Sequence, residues 1–187
     1  LTPRPAAGNL GAVSEQGDST TVVIPAGMAL LDAARWVGHA CWAELRLHEV
    51  LTGWLAVDHD PESALLYWRE RADAAERAQA WHQRLPELRE FPRAGFVVAS
   101  SDAVERVFNG LAGLDAPSDT ALRGGALSAV LRGLRLGYHR RQPLAVGPAD
   151  GPLATTIAAA LRSTFDIGFV EPDRAWVEAI DGAGGLP

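Results

Sequence analysis

The sequence predicts an all-α fold. Three observations carry it: apolar and polar residues recur with a helical period over four long stretches, capping and helix-breaking residues fall between those stretches, and neither strand alternation nor an internal repeat occurs. Four long helices with additional short ones, joined by short connections, is the pattern of a helical bundle. At 187 residues the chain suffices for one such domain and buries roughly 70% of its unfolded surface.

The elements follow in order. Residues 1–27 are rich in Pro, Gly and small polar residues and read as a flexible tail, in which "TTVVI" is a strand-like run with no partner. From Met28 to Val57 the polar residues Asp32, Arg35, His39, Arg46 and Glu49 fall on one helical stripe, which predicts a first long helix. Asp58 to Pro61 form the turn, with Pro61 and Glu62 suited to a first helical turn. The second helix is expected to run to about Arg89, with Pro86 kinking or fraying its last turn. "SSDAVERVFNGLAG" (100–113) carries a capping signal and predicts a short helix. A longer one is expected over Thr120 to Arg141, where Gly124, Gly125, Gly133 and Gly137 mark close helix contact. The last long helix is expected over Leu153 to Val170, with a short terminal one over 171–180. The predicted organisation is thus a tail (1–27), a bundle domain (28–170) and a C-terminal segment (171–187).

Composition excludes several classes of function. The 23 acidic residues outnumber the 17 basic ones, for a net charge of −6, whereas nucleic-acid binding needs a basic face to displace counterions. The patch Arg132, Arg135, Arg140 and Arg141 reads as a solvated helix face. Every basic residue is Arg, which reads as a compositional bias of the source genome. Cys41 is the single cysteine, so no intramolecular disulfide exists and no zinc ligand set is spaced along the chain. No apolar run approaches the ~20 residues of a membrane span, and no signal-peptide pattern opens the sequence. A soluble, cytoplasmic protein is expected.

The helical period sorts side chains into faces. On the first helix Val37, Cys41, Glu44, His48, Leu51 and Leu55 share the apolar face. On the second, Leu65, Trp68, Ala72, Ala75, Gln79 and His82 are read as inward, and Arg69, Asp73, Glu76, Gln83 and Glu87 as outward. Later inward lines are Leu127, Leu131, Leu134 and Tyr138, then Ile157, Leu161 and Thr164, with Asp166 outward. With the first turn centred near residues 59 and 60, Glu44 lies level with position 75 and His48 with position 71. Trp36, Trp54, Trp68 and Trp81 read as core. Trp42 falls on the polar stripe and needs a cover, either the tail, the segment around Trp176 or a second subunit.

An inward glutamate on the first helix, an x-x-His pair on the second and two further long helices resemble the ferritin-like bundle of di-iron and di-manganese carboxylate proteins, including the tRNA-hydroxylase-like members. The resemblance implies a ferritin-like four-helix bundle, with Glu44 as the lone glutamate ligand and "QAWH" (79–82) where the first Glu-x-x-His stands. Gln79 replaces the bridging carboxylate, and no Glu-x-x-His occurs in the chain. The implied metal site is therefore degenerate. Three readings follow for these residues: a hydrogen-bonded polar layer of Glu44, Gln79, His82 and Tyr138, a metal site, or a small-molecule pocket. A site using Glu44, His48 and His82 together is opposed by register, since His82 falls on the order of 10 Å along the axis from Glu44 and about 16 Å from His48.

"SSD" (100–102) reads as a helix cap rather than part of a hydrolase triad, "GGALSAVLRG" lacks a phosphate loop's glycine spacing and lysine, and Cys41 reads as a small core residue. The expected function is non-redox binding or assembly, a homo-oligomer through Trp42 being one form of it, without a cofactor. The alternative is an iron or manganese oxygenase or hydroxylase with Glu44 and His82 as ligands.

Overall fold

The computed structural model describes residues 27–89, 91–164 and 170–187. Among them are six α-helices: α1 (Leu30–Val57), α2 (Pro61–His82), α3 (Asp102–Ala112), α4 (Thr120–Arg141), α5 (Gly151–Ser163) and α6 (Arg174–Gly182). No strand occurs among the described residues, where Leu88 and Phe91 form an isolated antiparallel bridge. The tail expected over 1–27 and the outward Asp166 lie outside the described residues, save Gly27.

Local chemistry sets the helix ends. Asp60 caps α2 by accepting from the Ser63 amide at 2.8 Å, with Pro61 at the first helical position. Those hydrogen bonds hold the Asp60 carboxyl below its ordinary value. Ser101 caps α3 through Val104 N–H and Asp173 caps α6 through Trp176 N–H, both at 3.2 Å. The second helix is shorter than expected and stops at His82 rather than Arg89. Pro86 lacks an N–H and disfavours helical geometry at Leu85, so the chain leaves the helix in tight turns, with Arg84 N–H on Trp81 O and Leu85 N–H on His82 O.

Helices α1 and α2 form an antiparallel pair. Cys41 Sγ donates to Ala78 O at 3.4 Å, His48 Nδ1 lies 3.1 Å from Arg71 O, and the Trp54 and Tyr67 rings are 5.2 Å apart. These contacts reproduce the expected register, with His48 level with position 71. Helix α4 runs antiparallel to α1 and parallel to α2: Arg123 near its start lies over Trp54, Tyr138 near its end packs on Trp36 and Trp81, and Arg141 lies over Trp36. One long connection, residues 83–119, therefore crosses from the end of α2 back to the start of α4 and carries α3. The start of α5 lies beside residues 83–86 and its end beside Arg77, so α5 is antiparallel to α2.

The remaining elements close the body. Phe108 of α3 meets Trp42 edge-on at 5.4 Å, and Asn109 accepts from Arg46 at 3.1 Å. The C-terminal segment packs on α4, where glycine is required: a Cβ on Gly137 would stand 2.2 Å from the Pro187 carbonyl oxygen. The inward line of α4 is buried as expected, as are Trp36, Trp54 and Trp81. On α2 the expectation fails. Leu65 and Trp68 are exposed, whereas Tyr67, Glu70, Ala74, Arg77, Ala78 and Trp81 are buried. The buried face is displaced by about two residues, roughly 200° around the helix, because it carries two charges that a stripe drawn through apolar residues avoids. No helix among the described residues is long and apolar enough to cross a membrane.

Candidate functional site: a buried polar centre between four helices

The displaced face of α2 brings Arg77 opposite Glu44. Glu44 is completely buried, and its Oε1 accepts from Arg77 Nε at 2.7 Å and from the Tyr138 hydroxyl. Arg77 Nη1 donates to Ser163 Oγ at 3.4 Å, and Nη2 lies 4.0 Å from Glu70 Oε2. Each of the four long helices thus supplies at least one member: Glu44 from α1, Glu70 and Arg77 from α2, Tyr138 from α4, Ser163 from α5. Three atoms of the centre, Glu44 Oε2, Glu70 Oε2 and Arg77 Nη2, have no hydrogen-bond partner among the described residues.

The electrostatics follow from burial and proximity. Burial pushes the Glu70 carboxyl up to about 7, outweighing the attraction of Arg77, and Asp73 and Glu44 add to the rise. Burial pulls Arg77 down, but the charge and hydrogen bond of Glu44 outweigh it and hold the guanidinium above the ordinary arginine range. Tyr138 is raised well above its ordinary value by burial and then by Glu44, so its hydroxyl keeps its proton and donates. Cys41, one turn before Glu44, is raised to about 11 by burial and by that carboxylate.

A second buried arginine supplies the contrast. Arg123 Nη1 donates to Asp58 at 3.1 Å, Nε to Leu114 O at 2.6 Å and Nη2 to Ala116 O at 3.0 Å, all three nitrogens being satisfied. That arrangement is structural, tying α4 to the end of α1 and to the connection before α4. At Arg77, by contrast, Nη2 makes no hydrogen bond and has only the longer approach to Glu70 Oε2 at 4.0 Å.

Glu44 and Tyr138 of the expected polar layer come together, but Gln79 and His82 do not join them, since both are exposed on α2. His48 is half-buried and engaged with the α2 backbone. Trp42, expected to need a cover, is half-buried with Phe108 of α3 against it. Sequence reasoning missed Arg77, Glu70 and Ser163. A signal for Arg77 was present, because the level assigned to Glu44, near position 75, has Arg77 as its nearest arginine within one turn.

The donor set does not fit the metal centre that the ferritin-like resemblance implies. Among the described residues no group of three or more His, Cys, Asp or Glu side chains is placed to hold a metal ion. The guanidinium already engages Glu44 Oε1 and would repel a divalent cation there. Against the α2 side of the centre lies a cleft of about 240 Å³ between α2 and α5, lined by Asp73, Glu76, Arg77, Trp81, Thr156 and Ser163 together with Ala80, Ala159 and Ala160.

Among the described residues the fold and site define an all-helical protein with an arginine–carboxylate centre. No family model matches the chain, and no curated protein or solved structure is significantly similar to it.

Proposed function

We propose that this chain is a ferritin-like bundle in which Arg77 supplies the positive charge that metal ions supply in the dinuclear proteins, and that it acts by binding rather than by redox chemistry. The connectivity supports the reading: two antiparallel helix pairs joined by one long crossover is the ferritin-like arrangement. So does the placement of the centre, which draws a polar group from each of four helices, as the carboxylate centres do. The observation that carries the proposal is the 2.7 Å hydrogen bond from Arg77 Nε to the buried Glu44 carboxylate. The buried Glu44 carboxylate needs one cation for balance, and a guanidinium provides it with directed hydrogen bonds.

Elemental analysis of protein expressed with iron and manganese supplied tests this. Well under one equivalent of either metal is expected. One or more equivalents, lost on Glu44→Gln, would overturn the proposal in favour of the oxygenase alternative.

A further inference from the structure

The outer face of α2 carries an apolar line that nothing in the bundle core uses. The helix buries Tyr67, Ala74, Arg77 and Trp81 on its core side. On the opposite side Leu65, Trp68, Ala72, Ala75 and Gln79 follow one another at alternating spacings of three and four, the pattern of a helix–helix seam. Leu65 and Trp68 are 61% and 56% exposed, and Ala72 and Gln79 are exposed with them. The outer face of a bundle helix is ordinarily polar, so a leucine and a tryptophan on one line there need a cover.

Helix α1 widens this strip. Cys41 Sγ donates to Ala78 O and His48 Nδ1 lies against Arg71 O. Leu45 falls between them on the same α1 face, level with position 74 and next to the seam at Ala75. It too is exposed.

The charges along one flank decide which way a covering helix runs. At about 100° per residue, Arg69 and Glu76 both lie within about 60° of Ala72, on the same side of the seam. Both are exposed, and neither forms an ion pair among the described residues. A parallel second copy would set Arg69 on Arg69 and Glu76 on Glu76. An antiparallel copy, related by a twofold axis at Ala72, sets Arg69 level with position 75 of the other chain, one residue from Glu76, and the symmetry makes the pair twice. Asp73, the other carboxylate near the axis, lies about 100° from Ala72 around the helix and lines the α2–α5 cleft instead. On the opposite flank the same axis brings Trp68 against Ala72 and Ala75 of the other chain, where small side chains leave room for an indole, with Leu45 beside them.

We propose that α2 is the docking surface for a second copy of this chain, the two α2 helices packing antiparallel about Ala72 with Trp68 as anchor and Arg69–Glu76 pairs along one edge. The inference goes beyond the binding reading above and does not depend on the charge balance at Glu44. One helix from each copy makes a small interface, so the dimer belongs to the weak class, with a dissociation constant on the order of 1–100 μM.

Sedimentation equilibrium of the full chain from about 1 to about 300 μM tests it, and a monomer–dimer equilibrium is expected. Trp68→Glu and Ala72→Arg should each weaken association at least about tenfold. Their circular dichroism melts, run where wild type is monomeric, should stay unchanged because both positions are exposed. Arg69→Glu and Glu76→Arg should each weaken association about tenfold, and the double variant should restore it, because reversing both charges rebuilds both pairs. A chain that stays monomeric throughout overturns the proposal, as does a dimer that survives both Trp68→Glu and Ala72→Arg. Failure of the double variant to recover overturns the antiparallel arrangement. Dimerisation that begins only after removal of residues 1–26 would assign the seam to the chain's own terminus and overturn the second copy as its occupant.

Discussion

Glu44 and Arg77 should be energetically coupled far more strongly than two core residues chosen at random. In Arg77→Met a completely buried carboxylate keeps only the Tyr138 hydroxyl, and in Glu44→Gln a buried guanidinium loses its charge partner and keeps a neutral amide acceptor, Ser163 and a distant Glu70. Removing one partner of a buried pair costs about 3–5 kcal/mol, because the stranded charge has no solvent to return to. Removing both strands neither, and an amide at position 44 still accepts from Tyr138. Taking about 3 kcal/mol for each single change, independence predicts a loss of about 6 kcal/mol for the double variant, whereas coupling of about 2–3 kcal/mol leaves it near the cost of one. Urea denaturation followed by far-UV circular dichroism, run on wild type, both singles and the double, completes the cycle. Losses that add to within about 0.5 kcal/mol would refute the reasoning, since that is the behaviour of residues without a shared interaction.

Four further outcomes follow from the same packing. Because the folded Glu70 carboxyl titrates near 7, above its ordinary 4.5, the folded state holds a proton that the unfolded state has released. Stability should therefore fall as pH rises from about 4.5 to about 7, by up to about 3 kcal/mol, and Glu70→Gln should flatten that part of a pH series of urea melts. Cys41, buried and held near 11, should resist a thiol-reactive disulfide reagent at pH 8 in the native protein and react at once in denaturant; rapid native labelling would contradict its placement. Gly53→Ala, where an added Cβ meets nothing within 4 Å, should stabilise α1 by ~0.5–1 kcal/mol. Gly137→Ala should instead cost ~1–3 kcal/mol in the same thermal melts, because the C-terminal residues must move.

Much of the fold was legible because helical period and helix punctuation are local. The bounds of α4 match Thr120 to Arg141, α1 ends at Val57 as expected, and the register across the α1–α2 turn is right. The candidate site was legible only in half. Glu44 interrupts an apolar face and so announces itself, as does Tyr138 on the α4 line. Arg77 is signalled only by its level near Glu44, since an arginine among Asp73, Glu76 and Arg69 otherwise reads as solvated, and its burial depends on a partner 33 positions away in sequence. The exposed Leu65 and Trp68 pulled the inward line of α2 to the wrong side, and Gln79 and His82 with it. Ser163 carries no signal at all, because its contact is set by how α5 docks on α2. The end of α2 is a smaller lesson: Pro86 stopped the helix a full turn before itself, as its steric reach predicts, rather than only kinking or fraying its last turn.

The central claim is that a guanidinium, not a metal ion, balances the buried carboxylate between the four helices. Crystals of protein grown with iron and manganese supplied, measured at the absorption edges of both metals, test it directly. The account predicts density for the Arg77 side chain on Glu44 and no anomalous peak within bonding distance of either Glu44 oxygen. An anomalous peak bonded to Glu44, with Arg77 turned away from it, would contradict the account.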